Sequence, residues 1–246
     1  SKKVRIKFED SNDLVYLTRT IKEEDGNYFI DRFIDFDKPY TITKLENDIY
    51  YVNILSFSTM DIADSFINVL KDNPKGIIID LRLNLGGNDQ IASKMISYLI
   101  KDKAYSPIWR CELTNQAFQL WGKELPIEDV QNIIEPVSDI PYLGKVVILT
   151  SGMTSSTAED MVITLKHSKR ATIIGTKTAG SSGNPKNTTL PYGGTLRVSS
   201  FTPLTPNHKE YLGVGIEPDI VVEDTIESIK RNGDIVLDTA IGIIRR

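Results

Sequence analysis

GIIIDLRLNLGGND, residues 76–89, decides the fold. Three consecutive isoleucines between Gly76 and Asp80 show no polar alternation, so the run reads as a strand buried on both faces, the kind that fills the middle of a parallel sheet. Gly86 and Gly87 break that strand, and IASKMISYLI then carries the spacing of an amphipathic helix. Upstream, MDIADSFINVLKD sets Ile62, Phe66 and Leu70 at helical intervals before NPKG ends the helix with turn chemistry. Downstream, KVVILT repeats the buried strand, STAEDMVITLKHS the helix, and ATIIG a third buried strand. Strands alternating with helices of this length predict βαβ crossovers and an α/β fold.

The ends of the chain differ from this middle. KVRIKF and LVYLTR read as two short strands joined by EDSND, followed by a polar, acidic stretch to about Lys38. YTITKL and DIYYVNILSF then read as strands. Late in the chain, NTTLPYGGTLRVSSF predicts a β-hairpin turning at Pro191 to Gly194, GVGIEPDIVV an exposed strand, and DIVLDTAIGIIRR a closing helix. The division expected is an N-terminal β segment, 1–37, and a core domain, 38–246.

With 246 residues, 40% of them hydrophobic and 25% charged, the composition is that of an ordinary globular domain. A net charge of −4 gives no electrostatic footprint for nucleic acid. No apolar run is long enough to span a bilayer. One cysteine and two histidines supply no ligand cluster, so neither a metal nor an organic cofactor is expected. G-x-G-x-x-G is missing and GTKTAGSSG does not fit the phosphate-binding loop, which argues against a nucleotide.

TSGMTSSTAED, Thr150 to Asp160, places six hydroxyls where a helix begins. One reading is a capping box, with the Ser156 hydroxyl accepting from the N–H at N3 and Glu159 reaching back. The other is a serine nucleophile at a strand-to-helix junction, where the helix dipole and the free N–H groups of the first turn, beginning with Thr157, stabilise an oxyanion. The glycine-bearing junction DLRLNLGGND leaves a buried strand in the same way. Both junctions therefore fall at the carboxyl ends of parallel strands, where such folds build their sites.

Four motifs in order, GIIIDLRLNLGG, KVVILTSGMTSSTAEDM, KRATIIGTKTAGSSG and GVGIEPDI, resemble those of the C-terminal processing (tail-specific) serine peptidases and their tricorn-core relatives, over roughly residues 38 to 245. The resemblance implies a core of βαβ units related to the crotonase and Clp-protease spiral. It also implies a serine endopeptidase acting on unfolded or extended polypeptides, in an extracytoplasmic setting. The serine of the family's S-x-x-E motif falls on Ser156, with Ser155 as the fallback. Thr157 would supply one oxyanion N–H and the turn glycines Gly86 and Gly87 the other. Arg82 and Asn84 are expected to hold that loop rather than to react.

Two departures accompany the match. The processing peptidases carry a base lysine in an F-G-K-G motif, and the corresponding stretch here is TAGSSG, with Ser181 in the lysine's place. The tricorn branch uses a histidine in a Tyr-x-His strand, and YYVNIL has Asn53 there. Lys177, His208 and Glu210 are further candidates for base or orienting group. His167, eleven residues along the helix from Ser156, would lie roughly 16 Å away and cannot serve. The missing bases keep a second expectation open, a catalytically silent relative that binds peptide, beside a third, acyl transfer to a thioester in the crotonase manner. The first 37 residues are too few for the PDZ domain such peptidases carry and resemble its strand connection to the core. Such a domain upstream of the given sequence, or another way of choosing substrates, is expected.

Overall fold

The computed structural model describes residues 38–113, 120–137, 141–225, 228 and 233–246, and within 1–37 the backbone of five strands. Strand β1 (Lys3–Lys7) pairs antiparallel with β2 (Leu14–Thr18), as expected. The stretch expected to be merely polar instead contains β3 (Ile21–Glu24), β4 (Asn27–Ile30) and β5 (Ile34–Asp35) in an antiparallel sheet. The Lys-Glu-Glu run within β3 has low strand propensity, so composition concealed a backbone pairing.

The β-branched runs of the core become a six-stranded sheet. Strand β6 (Tyr40–Leu45) is antiparallel to β7 (Ile49–Ile54), which lies parallel to β8 (Gly76–Asp80). Beyond β8 come β11 (Lys145–Thr150), β12 (Thr172–Gly175) and the two-residue β16 (Ile220–Val221), all parallel. Helix α1 (Asp61–Lys71) connects β7 to β8, α2 (Asp89–Ser97) follows β8, and α3 (Thr157–His167) connects β11 to β12. The order β7-β8-β11-β12 means that each crossover steps one place in the same direction. Every residue of β8 is buried, as its unbroken apolar run requires.

The two faces are covered unequally. Ile77, Ile79, Val146, Ile148 and Ile173 pack beneath α1, α2 and α3 with Phe66, Met95 and Met161. Ile78, Val147, Leu149 and Ile174 face the single helix α4 (Ile235–Arg245), through Val236, Leu237, Ala240 and Ile244. Each fully buried aliphatic or phenyl side chain contributes about 1.5–3 kcal/mol, so this layering dominates stability. Outside α3 lies a second sheet of β9 (Ala104–Glu112), β10 (Ile127–Ile134) and β15 (Thr202–Leu204), ordered β10-β9-β15.

The late hairpin forms as expected from β13 (Lys186–Thr189) and β14 (Thr195–Val198), with its turn at Pro191–Gly193. The exposed strand expected over 213–222 is mostly absent. Gly213 and Gly215 adopt positive φ in a turn, and only Ile220–Val221 pairs, with β12. Pro218, which cannot donate to a ladder, precedes that short strand.

Candidate active site

Two junctions meet at the carboxyl ends of β8 and β11. Asp80, ending β8, accepts from Tyr51 Oη (2.6 Å), from the Arg82 backbone N–H (2.9 Å) and from Arg82 Nη2 (2.6 Å). The same guanidinium reaches Asp234 at 2.8 Å, and Asp234 caps α4 by accepting from Leu237 N–H. Burial works against the Arg82 charge, but Asp80 and Asp234 outweigh it and raise its pKa, so it stays protonated as a clamp between strand end and helix. Fully buried Asn84 donates from Nδ2 to Ile54 O (3.0 Å) and accepts from Gly86 N–H (2.7 Å), while its own carbonyl accepts from Ser155 N–H (3.0 Å). Arg82 and Asn84 thus tie the loop to the strand ends and to α4.

The second junction is laced to the first. Thr154 Oγ1 donates to Leu81 O at 2.8 Å. Thr157 Oγ1 donates to Gly87 O at 2.8 Å and bonds the Asp89 carboxylate. Between these ties stands Ser156, with φ 55° and ψ −129°. This is a region that side chains rarely adopt and that costs on the order of 1–3 kcal/mol, a level of strain characteristic of functional positions.

The capping box forms only in part. The Ser156 hydroxyl makes no cap hydrogen bond, and its N–H points to Ser181 O at 2.8 Å. Glu159 does face the Ser156 N–H, but its buried carboxylate is taken up mainly by the loop after β12: Thr178 Oγ1 (2.5 Å), Gly180 N–H (2.8 Å) and Ser181 N–H (2.9 Å) donate to it. Burial raises the Glu159 pKa and these donors pull it back. The local pattern S-x-x-E is therefore a long-range anchor for the loop carrying Ser181.

Gly86 lies against this serine at φ 105°, and Gly87 follows at φ 145° against the Phe57 main chain. A Cβ on Gly86 would stand 2.6 Å from Ser156 Cβ, and one on Gly87 would stand 2.3 Å from Phe57 O. Close approach of the loops requires glycine at both positions. The Gly86 N–H is committed to Asn84 Oδ1, which removes Gly86 as a donor to a reactant. Among the described residues, the N–H groups of Gly87 and Thr157 have no acceptor. One comes from each junction: Thr157 follows Ser156 in the chain, and the Gly87 carbonyl accepts from Thr157 Oγ1.

The other predicted residues divide. Ser181 lines the same cleft as Ser156, a space of about 370 Å³ that also takes in Ser182, Arg197, Ser199 and Leu212. Ser155 is buried at 7% exposure and does not line this cleft. Lys177 is exposed and pairs with Glu217 at 2.6 Å. His208 Nδ1 lies 3.8 Å from Asp129, and Glu210 bridges Leu204 and influences Arg110, so both belong to the second sheet. His167 sits at the far end of α3. Asn53 is buried in β7 at 3% exposure. Among the described residues, no side chain hydrogen-bonds the Ser156 hydroxyl.

Several contributors have no local signature in the sequence. Thr178, the partner of Glu159, lies in GTKTAG. Asp160 on α3 has its pKa pushed up to about 8, by burial first and then by the charge of Asp89, while Tyr211 Oη bonds it at 3.1 Å. Only the convergence of α2, α3 and the loop after β15 brings these groups together.

The arrangement is a serine at a strained helix start beside glycine-bearing main chain, at the carboxyl ends of a stepped parallel sheet. The sequence profile of peptidase family S41 matches residues 48–222, and the chain belongs to that family. The carboxy-terminal-processing protease of Bartonella bacilliformis is 29% identical over 204 residues, covering 79% of this chain and 43% of its own length. A CtpA-like serine protease of Staphylococcus aureus is 26% identical over 183 residues, 74% of this chain and 32% of its own. The chain thus spans less than half the length of these curated relatives. Among solved structures, a protein of Parabacteroides merdae assigned as a peptidase superposes with a TM-score of 0.71 at 25% identity, over 84% of this chain and 64% of its own. The tricorn protease shares the fold, with a TM-score of 0.55 at 19% identity over 80% of this chain and 18% of its own. No helix among the described residues is long and apolar enough to cross a membrane.

Proposed function

We propose that this chain carries the catalytic core of a serine endopeptidase that cleaves unfolded or extended polypeptides, in an extracytoplasmic setting. The observation that carries this reading is Ser156 itself, held in a strained conformation with its hydroxyl free of the helix cap and open to the cleft. The N–H groups of Thr157 and Gly87, one from each junction and without acceptors among the described residues, would serve the developing oxyanion. The Ser156 oxygen attacks the scissile carbonyl, the amine leaves with a proton, and water releases the acyl group to regenerate the hydroxyl. The base that takes the Ser156 proton does not occupy the family's usual lysine or histidine position, where Ser181 and Asn53 stand.

Those two residues also motivate a second reading, a relative that holds peptide in the same cleft without cutting it. Incubation with denatured casein separates the two. Turnover by the native chain and its loss in Ser156→Ala support the peptidase. Intact casein after prolonged incubation, with peptide bound equally by both proteins, supports the silent binder.

A further inference from the structure

The Ser156 cleft is lined by hydroxyls and small residues, and Arg197 is the charged side chain among its lining residues. That arginine belongs to no interaction the rest of the fold requires. Among the described residues, no carboxylate lies within ion-pairing distance of it, whereas Arg82 and Arg110 are each engaged by aspartates. An exposed arginine that lines the Ser156 cleft without an acidic partner is suited to bind an anion there, because guanidinium presents a fork matched to carboxylate.

The position of Arg197 is set by the hairpin that carries it. Strands β13 and β14 pair only with each other, with Asn187 opposite Arg197, and all eight of their residues are exposed. A hairpin of two strands alone is marginal in water, so its base must be fixed elsewhere. Just beyond β14, Ser199 Oγ donates to Ser182 O (3.1 Å), Ser200 N–H to Gly183 O (2.8 Å) and Ser200 Oγ to Asn184 O (2.7 Å). These bonds tie the foot of the hairpin to the cleft wall, two residues from Arg197. A chain lying in the cleft would cover the arginine and lower the dielectric around it, strengthening any pair it makes.

We propose that Arg197 makes this cleft selective for polypeptides bearing a carboxylate close to the bond presented to Ser156. The inference rests on the peptidase reading only in taking the cleft as the polypeptide site. The carboxylate comes either from an Asp or Glu side chain or from a free C-terminus.

The test uses fluorescein-labelled extended peptides of Ala, Ser and Thr, with one Glu or Gln at successive central positions and with a free or amidated C-terminus. Anisotropy on Ser156→Ala reads affinity without hydrolysis, and kcat/KM on the native serine reads turnover. Glu peptides are expected to bind at least about fivefold tighter than their Gln counterparts at one or two adjacent positions. The preference should vanish in Arg197→Gln, shrink as salt rises, and invert towards Lys peptides in Arg197→Glu. A preference that follows the free terminus instead identifies the C-terminal carboxylate as the source. Equal binding of Glu, Gln, free and amidated peptides overturns the role of Arg197 while leaving the peptidase reading intact. Preference for a carboxylate without cleavage upholds it and replaces the peptidase by the silent binder. Failure to bind any of these peptides overturns both.

Discussion

The two strand-to-helix junctions solve one geometric problem in opposite ways. After β8 the chain uses glycine: Gly86 and Gly87 take positive φ, where their missing Cβ removes the strain, and the buried Asn84 holds the loop's shape. After β11 the chain places a residue with a side chain at φ 55°, and Glu159 holds the neighbouring loop against it. The first junction is a relaxed loop that presents main chain, and the second is a strained one that presents an alcohol. Of the two junctions, strain therefore falls on the one whose side chain lines the cleft, and the partner loop, by using glycine, makes room for it.

The largest effect expected from disturbing this contrast comes from Glu159→Ala. It strands the donors Thr178, Gly180 and Ser181 in buried surroundings, which should cost about 3 kcal/mol in urea unfolding. Gly86→Ala imposes the second junction's strain on the first and drives a methyl into Ser156. A loss of about 2 kcal/mol is expected, with reactivity of the serine falling further than stability does.

Ser156→Gly makes the second junction resemble the first. It should raise stability by about 1 kcal/mol, while Ser156→Ala, which keeps a Cβ, should not. Equal melting temperatures for these two variants would show that the Ser156 backbone is unstrained.

A further effect, which appears only as pH rises, concerns two carboxylates that interact across the junctions, Asp89 from the first and Asp160 from the second. Asp160 keeps its proton in the folded state up to about pH 8, whereas an unfolded aspartate ionises near pH 4. Its contribution is therefore fully present below the lower value, falls as pH rises between the two, and is gone above the higher. Asp160→Asn should flatten that decline and be more stable than the native chain at alkaline pH, and not below about pH 4. A melting-temperature difference between the two proteins that is constant from pH 5 to pH 9 would contradict this.

The buried strands β7, β8, β11 and β12 were legible because burial on both faces demands runs of Ile, Val and Leu, which survive in the sequence as unbroken blocks. Strands β9 and β10 carry no such block: AYSPIWRCE contains a proline, and most residues of IEDVQNII are exposed. The N-terminal sheet of β3, β4 and β5 was missed for a similar reason. At the site, the S-x-x-E and double-glycine patterns pointed to the two loops, carrying Ser156 with Thr157 and Gly86 with Gly87, that meet in the structure. Gly86 was read as a donor because the sequence does not show that Asn84, two residues earlier, takes its N–H. Glu159 was read as a local cap because its true partners lie nineteen or more residues away, across a strand. Arg197 escaped notice because nothing in TLRV tells that the hairpin's foot is clasped to the cleft.

The central claim, that the Ser156 hydroxyl is a nucleophile served by two main-chain donors, is tested most directly by a fluorophosphonate reagent followed by mass mapping of the modified peptide. We expect a single adduct on Ser156, abolished in Ser156→Ala and strongly reduced in Gly86→Ala. An unmodified Ser156, or labelling undiminished when that serine is replaced, would contradict the account.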